Sequence, residues 1–231
     1  QKNDPIMIAI YSDILQRFRL ASTGKRPGAQ PPPRLKDRIY KYFDPLPFWY
    51  PPLEDEVTDL SKFTLNAITQ RPMAMYHSWD SQNAWLRQIH SHNYLFVNTA
   101  TALQHGIADG AWIWIESQWG KVKCMARHSE AVDPGTVWTW NAIGKAESAW
   151  SLTDNADESK KGFLLNHLIS EELPLGGFTV SNSDPITGQA GWYDVRVKLA
   201  PASEDETPET WPQVRAYEVP GMPLKKEANN E

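Results

Sequence analysis

The chain has 231 residues, enough to bury a substantial core, with 41% hydrophobic and 22% charged residues and a net charge of −5. That balance excludes a partner bound mainly by neutralising nucleic-acid phosphates. No apolar run approaches the roughly 18–20 residues of a membrane-spanning helix, and a single cysteine, Cys124, excludes an internal disulfide framework or a cysteine-based cluster.

The opening, QKNDPIMIAIYSDILQRF, has no initiator Met and no signal-peptide pattern, and it reads as the interior of a longer chain. Apolar Ile6, Ile10, Ile14 and Phe18 recur at helical spacing behind Asp4-Pro5, so a helix is expected over 5–20. Residues 21–34 form a Gly/Pro-rich linker, 35–43 a short helix, and the proline- and aromatic-rich 44–56 an extended arm laid on a neighbouring surface.

A globular core is expected from Phe63. An apolar run over 63–69 reads as a strand that empties into the polar loop 69–83, with Ser81 as N-cap of a following helix. Backbone N–H groups at such a junction can hold an anion, although an ordinary surface loop fits the same residues equally well. Further strands are expected at 94–98, 111–117, 121–127, 136–140 and 192–199. A helix over 99–105 closes on Gly106, and 111–127 forms a β-hairpin. Residues 163–169 fit either a short strand or a short helix, and 175–180 is extended. Short strands with isolated short helices favour a closed barrel. The expected divisions are 1–62 (helix, linker and arm), 63–199 (barrel) and 200–231 (an acidic, Pro-rich tail).

The familiar catalytic spacings are missing. Ala142-Ile143-Gly144-Lys145 resembles the end of a phosphate loop, but Thr139 stands where glycine is needed and Ala146 where Ser or Thr should hold magnesium. His90 and His92 are the closest histidine pair, with no third ligand in view. Cys124, on an expected strand, reads as a buried inert thiol. No nucleophile–base pair emerges, so the residues describe a binding domain with candidate ligand loops at 69–83, 141–145 and 181–191.

Three blocks in order carry a family resemblance. The first is Ile68-Thr69-Gln70-Arg71 followed by His77-Ser78. The second runs from Tyr94-Leu95-Phe96-Val97-Asn98 through Gly106-Ile107-Ala108-Asp109-Gly110 and the hairpin to Pro134-Gly135. The third is Leu165-Asn166, then Asp184-Pro185-Ile186-Thr187-Gly188-Gln189, leading into Val195-Arg196-Val197. Together they resemble the C-terminal dinucleotide-binding domain of the molybdopterin oxidoreductases (the dimethyl sulfoxide reductase family).

The resemblance implies a mainly β fold with short helices, a double-psi β-barrel preceded by a helical and Pro-rich lead-in. It also implies a role in shielding and orienting molybdenum bis(molybdopterin guanine dinucleotide). Thr69, Gln70, Arg71, His77, Ser78, Asn83, Asn166, Asp184 and Gln189 would be its cofactor contacts, with no metal ligand and no catalytic residue in this stretch. Gln70 stands where many relatives have glycine. The metal's ligand and any iron–sulfur cluster would lie upstream. Partners would be an iron–sulfur electron-transfer subunit and the remaining domains of the same catalytic subunit. The nearest look is of enzymes acting on inorganic sulfur compounds: polysulfide or thiosulfate reductases and sulfite dehydrogenases. That implies a cytoplasmic enzyme, with the periplasm as the alternative. A different class of reading is a non-catalytic interaction module, drawn from 11 tryptophans and 8 tyrosines on a polar chain.

Overall fold

The computed structural model describes residues 12–28, 30–76, 83–141, 143, 161–175, 178–191, 195–203 and 206. The chain forms two compact units, one of residues 1–52 with 183–191 and the other of residues 53–182 with 192–231. This division differs from the one read from sequence. The segment 53–62 groups with the barrel, and the polar turn 183–191 groups with the lead-in.

In the first unit, helix α1 spans Ser12–Ser22 and α2 spans Lys36–Tyr42. Gly24, at φ 72°, ends α1 in the left-handed conformation that glycine adopts most readily, and Lys25 N–H returns to the Leu20 carbonyl at 2.9 Å. A 3-10 turn, Pro33–Leu35, leads into α2. The Phe18 and Phe43 rings meet at 5.6 Å, and Arg19 pairs with Asp44 at 2.5 Å. The polar turn 183–191 is tied to the arm by Tyr50, whose hydroxyl donates to the Asp184 carboxylate, and to α2 by Arg38, which donates to the Ser183 carbonyl.

The second unit is a closed barrel of six strands, the class expected of the sequence. The first strands are β1 (Leu65–Gln70), β2 (Tyr94–Val97), β3 (Trp112–Glu116), β4 (Lys121–His128) and β5 (Thr136–Trp140). A two-stranded sheet follows, β6 (Glu172–Leu175) with β7 (Phe178–Ser181), and β8 (Val195–Pro201) closes the barrel. The order around it is β1-β5-β2-β4-β3-β8. The pairs β1–β5 and β2–β4 are parallel and the others antiparallel. Alternation on each strand sends Leu65, Ala67, Leu95, Val97, Ile113, Ile115, Val137 and Val197 inward, where they form one apolar cluster. Cys124 is buried in the same cluster. Burial pushes its thiol well above the ordinary range, so it is inert as expected.

Short helices punctuate the barrel. Helix α3 spans Ala84–Ile89 and α4 spans Thr99–Gln104. Asn98 caps α4, its Oδ1 accepting from Ala100 N–H at 3.0 Å, while its amide donates to the Val132 carbonyl at 2.9 Å. Gly110, at φ 78°, completes the turn that starts β3, and Asp109 beside it accepts from His128 N–H at 2.8 Å. The stretch 163–169 resolves as a 3-10 turn, Leu165–Leu168, with both leucines buried. Among the described residues no helix is long and apolar enough to cross a membrane.

Candidate functional site

Strand directions define the site. β1 and β5 run parallel, with Thr69 opposite Thr139 and Gln70 opposite Trp140, so their carboxyl ends share one pole of the barrel. β2 runs antiparallel to β5 and therefore starts at that pole. Helix α3, which joins β1 to β2, lies at the same pole, as does the turn 117–120 between β3 and β4. Asn141 follows β5 and donates its backbone N–H to the Gln70 carbonyl at 2.8 Å.

Asn93 builds the floor of this pole. Its amide donates to the carbonyls of Trp140 and Phe163, each at 3.0 Å, and its oxygen accepts from the Thr139 hydroxyl at 2.9 Å. The segment carrying Asn166 is fixed at one end by Asn93. At the other end Ser117 Oγ donates to the Leu168 carbonyl at 2.7 Å.

At this pole Thr69 Oγ1, which faces inward, and Asn141 Oδ1 are buried without a hydrogen-bond partner among the described residues. A buried polar group left unpaired costs about 1–3 kcal/mol, so a native barrel has reason to fill such a place. A hydroxyl can donate or accept and an amide oxygen can accept, so the two suit N–H and C=O groups of a ligand. Arg71, exposed at the rim, adds a cationic fork and sits 5.6 Å from the Tyr76 ring centroid. This donor set fits a pterin dinucleotide with its phosphates.

The residues expected to form the site divide accordingly. Thr69, Gln70, Arg71, Asn83 and Asn166 belong to this pole. Asn83 rather than Ser81 is the N-cap of α3, its Oδ1 accepting from Trp85 N–H at 3.0 Å, and Ser81 lies outside the described residues. Asn166 is exposed. Asp184 and Gln189 lie in the first compact unit. There Asp184 Oδ1 accepts from Ile186 N–H, Thr187 N–H and the Thr187 hydroxyl at 2.7–3.0 Å, while Oδ2 takes the Tyr50 hydroxyl. Burial works to raise the Asp184 carboxyl, but these donors outweigh it and hold the group below its ordinary range. Asp184 therefore organises its own turn, and Gln189 closes it, its carbonyl accepting from Asp184 N–H at 2.7 Å. His77 and Ser78 lie outside the described residues.

Asn141 lies inside a candidate loop, but nothing in the sequence singles it out, because only the parallel pairing of β5 with β1 reveals its place beside Thr69. The histidine pair does not converge: His92 stacks on Tyr94 and His90 meets Trp140 edge-on.

Residues 65–173 match the family described as the molydopterin dinucleotide binding domain. It is 62% identical over 226 residues to a subunit of the sulfite dehydrogenase of Allochromatium vinosum, covering 96% of this chain and 23% of that protein. It is 24% identical over 155 residues to dopamine dehydroxylase of Eggerthella lenta, covering 64% of this chain and 13% of that protein. A solved structure, acetylene hydratase from Pelobacter acetylenicus, is similar over 73% of this chain and 23% of its own, with TM-score 0.49 and 19% identity. The chain thus spans less than a quarter of the length of each of these relatives.

Proposed function

We propose that this chain is the cofactor-shielding part of a molybdenum enzyme that oxidises an inorganic sulfur oxyanion, sulfite in the first instance. The carrying observation is the pair of unsatisfied buried atoms, Thr69 Oγ1 and Asn141 Oδ1, at the pole where Arg71 also stands. The substrate class is supported by the high identity, across nearly the whole chain, to part of a sulfite dehydrogenase.

In this reading the group held is bis(molybdopterin guanine dinucleotide). Bound there, it would supply a metal centre for atom and electron transfer. Thr69 and Asn141 fix the edge of the cofactor by hydrogen bonds, Arg71 engages its phosphates, and the packed floor around Asn93 excludes water from that side. The metal's ligand and an iron–sulfur cluster belong to the polypeptide outside these residues, and a second, iron–sulfur subunit receives the electrons. Cytoplasmic operation belongs to the same reading and is checked by cell fractionation. The relatives lend no support to an interaction module without a cofactor.

The test is the molybdenum content per polypeptide of the complete enzyme carrying Arg71→Ala with Asn141→Ala. Losing two such contacts should lower cofactor retention about tenfold or more under dialysis. Unchanged molybdenum in the double variant would overturn the assignment of this pole.

A further inference from the structure

Lys123 is a lysine buried on the outside of the barrel. Val122, Cys124 and Ala126 point into the core, so alternation along β4 turns Lys121, Lys123 and Met125 outward. A lysine so placed ordinarily lifts its ammonium into water on a flexible stem, yet Lys123 is 2% exposed. Its cover includes Trp112 and Trp114 of β3, whose ring centroids lie 5.7 and 5.9 Å from the ammonium, and the Glu206 carbonyl, which accepts from it at 2.6 Å. Burial pulls the ammonium below its ordinary range, and the charge of Glu206 opposes that pull.

The backbone shows how this cover arrives. Ala202 N–H reaches the Trp112 carbonyl at 3.0 Å, in line with β8 at the edge of β3. Glu206 N–H then returns to the Ser203 carbonyl at 3.2 Å, a turn, and the Glu206 carboxylate takes the Trp114 indole. Trp112 faces Met125 across the hairpin, and Trp114 faces Lys123. Between 202 and 206 the chain therefore leaves the β8 edge, crosses the outer side of β3 and moves one outward rung nearer the hairpin turn. The next rung in that direction is Glu116 opposite Lys121. There Lys198 engages Glu116 at 3.1 Å, while Lys121 stands 3.9 Å over the Trp114 ring.

We propose that the acidic stretch of this chain beyond Glu206 is a strap that follows the outer face of β4 toward the hairpin turn, with the Glu209 carboxylate paired to Lys121. Four of the six residues from 204 to 209 are acidic (Glu204, Asp205, Glu206 and Glu209), and the face they meet carries the ammonium groups of Lys121 and Lys123. The reach suffices: successive outward positions on a strand are about 7 Å apart, and three extended residues span about 10 Å. Its tether at Glu206 gives this segment a high effective concentration at Lys121, which a separate acidic chain lacks. The strap ties down the hairpin whose turn, 117–120, lies at the pole of Thr69 and Asn141, and it does not depend on what that pole binds.

The test follows hydrogen exchange at the amides of 209–211 in the complete enzyme, unsubstituted and with Glu209→Lys, Lys121→Glu or both. In the unsubstituted enzyme these amides should exchange at least about tenfold more slowly than in unfolded chain, at any enzyme concentration. Glu209→Lys should speed them about threefold or more, and the double variant should restore them. Exchange at the unfolded rate, no response to Glu209→Lys, no restoration, or protection lost on dilution each overturns the strap. Should the Lys121→Glu variants fail to fold, carbodiimide coupling decides, run on a mixture of unlabelled and isotope-labelled unsubstituted enzyme. Coupling joins a carboxylate to an amine as an amide with loss of water. Peptide mass spectrometry should find Lys121 joined to Glu209 with both peptides from one chain. Absence of that amide, a mixed-label pair, or Lys121 joined to another polypeptide overturns the proposal.

Discussion

Glu54 shows how burial rewrites an ordinary carboxyl. It sits in a 3-10 turn, Leu53–Glu56, and accepts from the Trp119 indole at 3.0 Å. Burial pushes its pKa from the ordinary 4.5 up to about 7. The Trp119 hydrogen bond and the Arg196 charge oppose that rise, and the neighbouring Asp55 adds to it. Between those two values the folded protein keeps a proton that the unfolded chain has released. Stability therefore falls as pH rises from about 4.5 to about 7, by as much as about 3 kcal/mol, and the loss is complete above that window. Glu54→Gln should flatten this part of the stability–pH curve, measured by denaturant unfolding of the complete enzyme at pH 5, 6, 7 and 8. An unchanged slope would place the titrating group elsewhere.

The tryptophans belong to this scale too. Composition alone leaves a Trp-rich core and a Trp-rich docking face equally open. Most of the described ones line the outside of the barrel strands or the adjoining hairpin turn: Trp138 stacks on Phe96 at 4.0 Å, Trp140 meets Trp138 at 4.8 Å, and Trp114 carries Lys121 over its ring at 3.9 Å. Among the described tryptophans only Trp49 and Trp85 stand well exposed.

Between elements, single side chains do much of the joining. Asn93 ties the start of β2, the end of β5 and the segment at 163 through three hydrogen bonds. Asn93→Ala removes the amide donor from the Trp140 and Phe163 carbonyls and should cost about 2–3 kcal/mol, read as a lower midpoint of thermal unfolding followed in the barrel. Asn93→Asp should not restore it, because both donated bonds come from the amide.

Glu206 fastens the start of the tail to the outside of β3 and β4. Its carbonyl accepts from the Lys123 ammonium at 2.6 Å and its carboxylate from the Trp114 indole, while Ala202 N–H reaches the Trp112 carbonyl at 3.0 Å. Glu206→Ala removes the indole contact and the paired charge. It should speed limited proteolysis after residue 201 with little change in the barrel itself; an unchanged cleavage rate would show that the backbone contacts suffice.

What can be read ahead of the structure is whatever local rules decide. The hairpin of β3 and β4 is legible because alternating residues flank a short polar connection. Helix α4 is legible because Asn98 and Gly106 bracket it. The sequence misplaces the start of α3 by two residues, since Ser81 and Asn83 are both good caps and local preference cannot choose between them. The pairing of β6 with β7 is invisible in the sequence: Pro174 breaks the pattern of β6, and the register from Glu172 opposite Ser181 to Leu175 opposite Phe178 is set by pairing alone. The family blocks point to Thr69 and Arg71. They name Asp184 as well, and motifs, which record order along the chain, do not reveal that its oxygens also accept from its own turn and from Tyr50.

At the level of the whole molecule, the closing seam of the barrel has a consequence for how such domains travel between proteins. β1 and β8 are antiparallel neighbours with Leu65 opposite Val197, so the first strand begins and the last strand finishes at one end, the end away from Thr69 and Asn141. Leu65 and Val197 are one strand spacing apart, about 5 Å, and β8 runs on for only four more residues, about 13 Å, to Pro201. A cassette with its two ends so close can be spliced into a host sequence at a single point, or rejoined and reopened elsewhere, without rethreading the barrel. Evolution could therefore graft this barrel into different proteins and leave the pole of Thr69 and Asn141 unchanged.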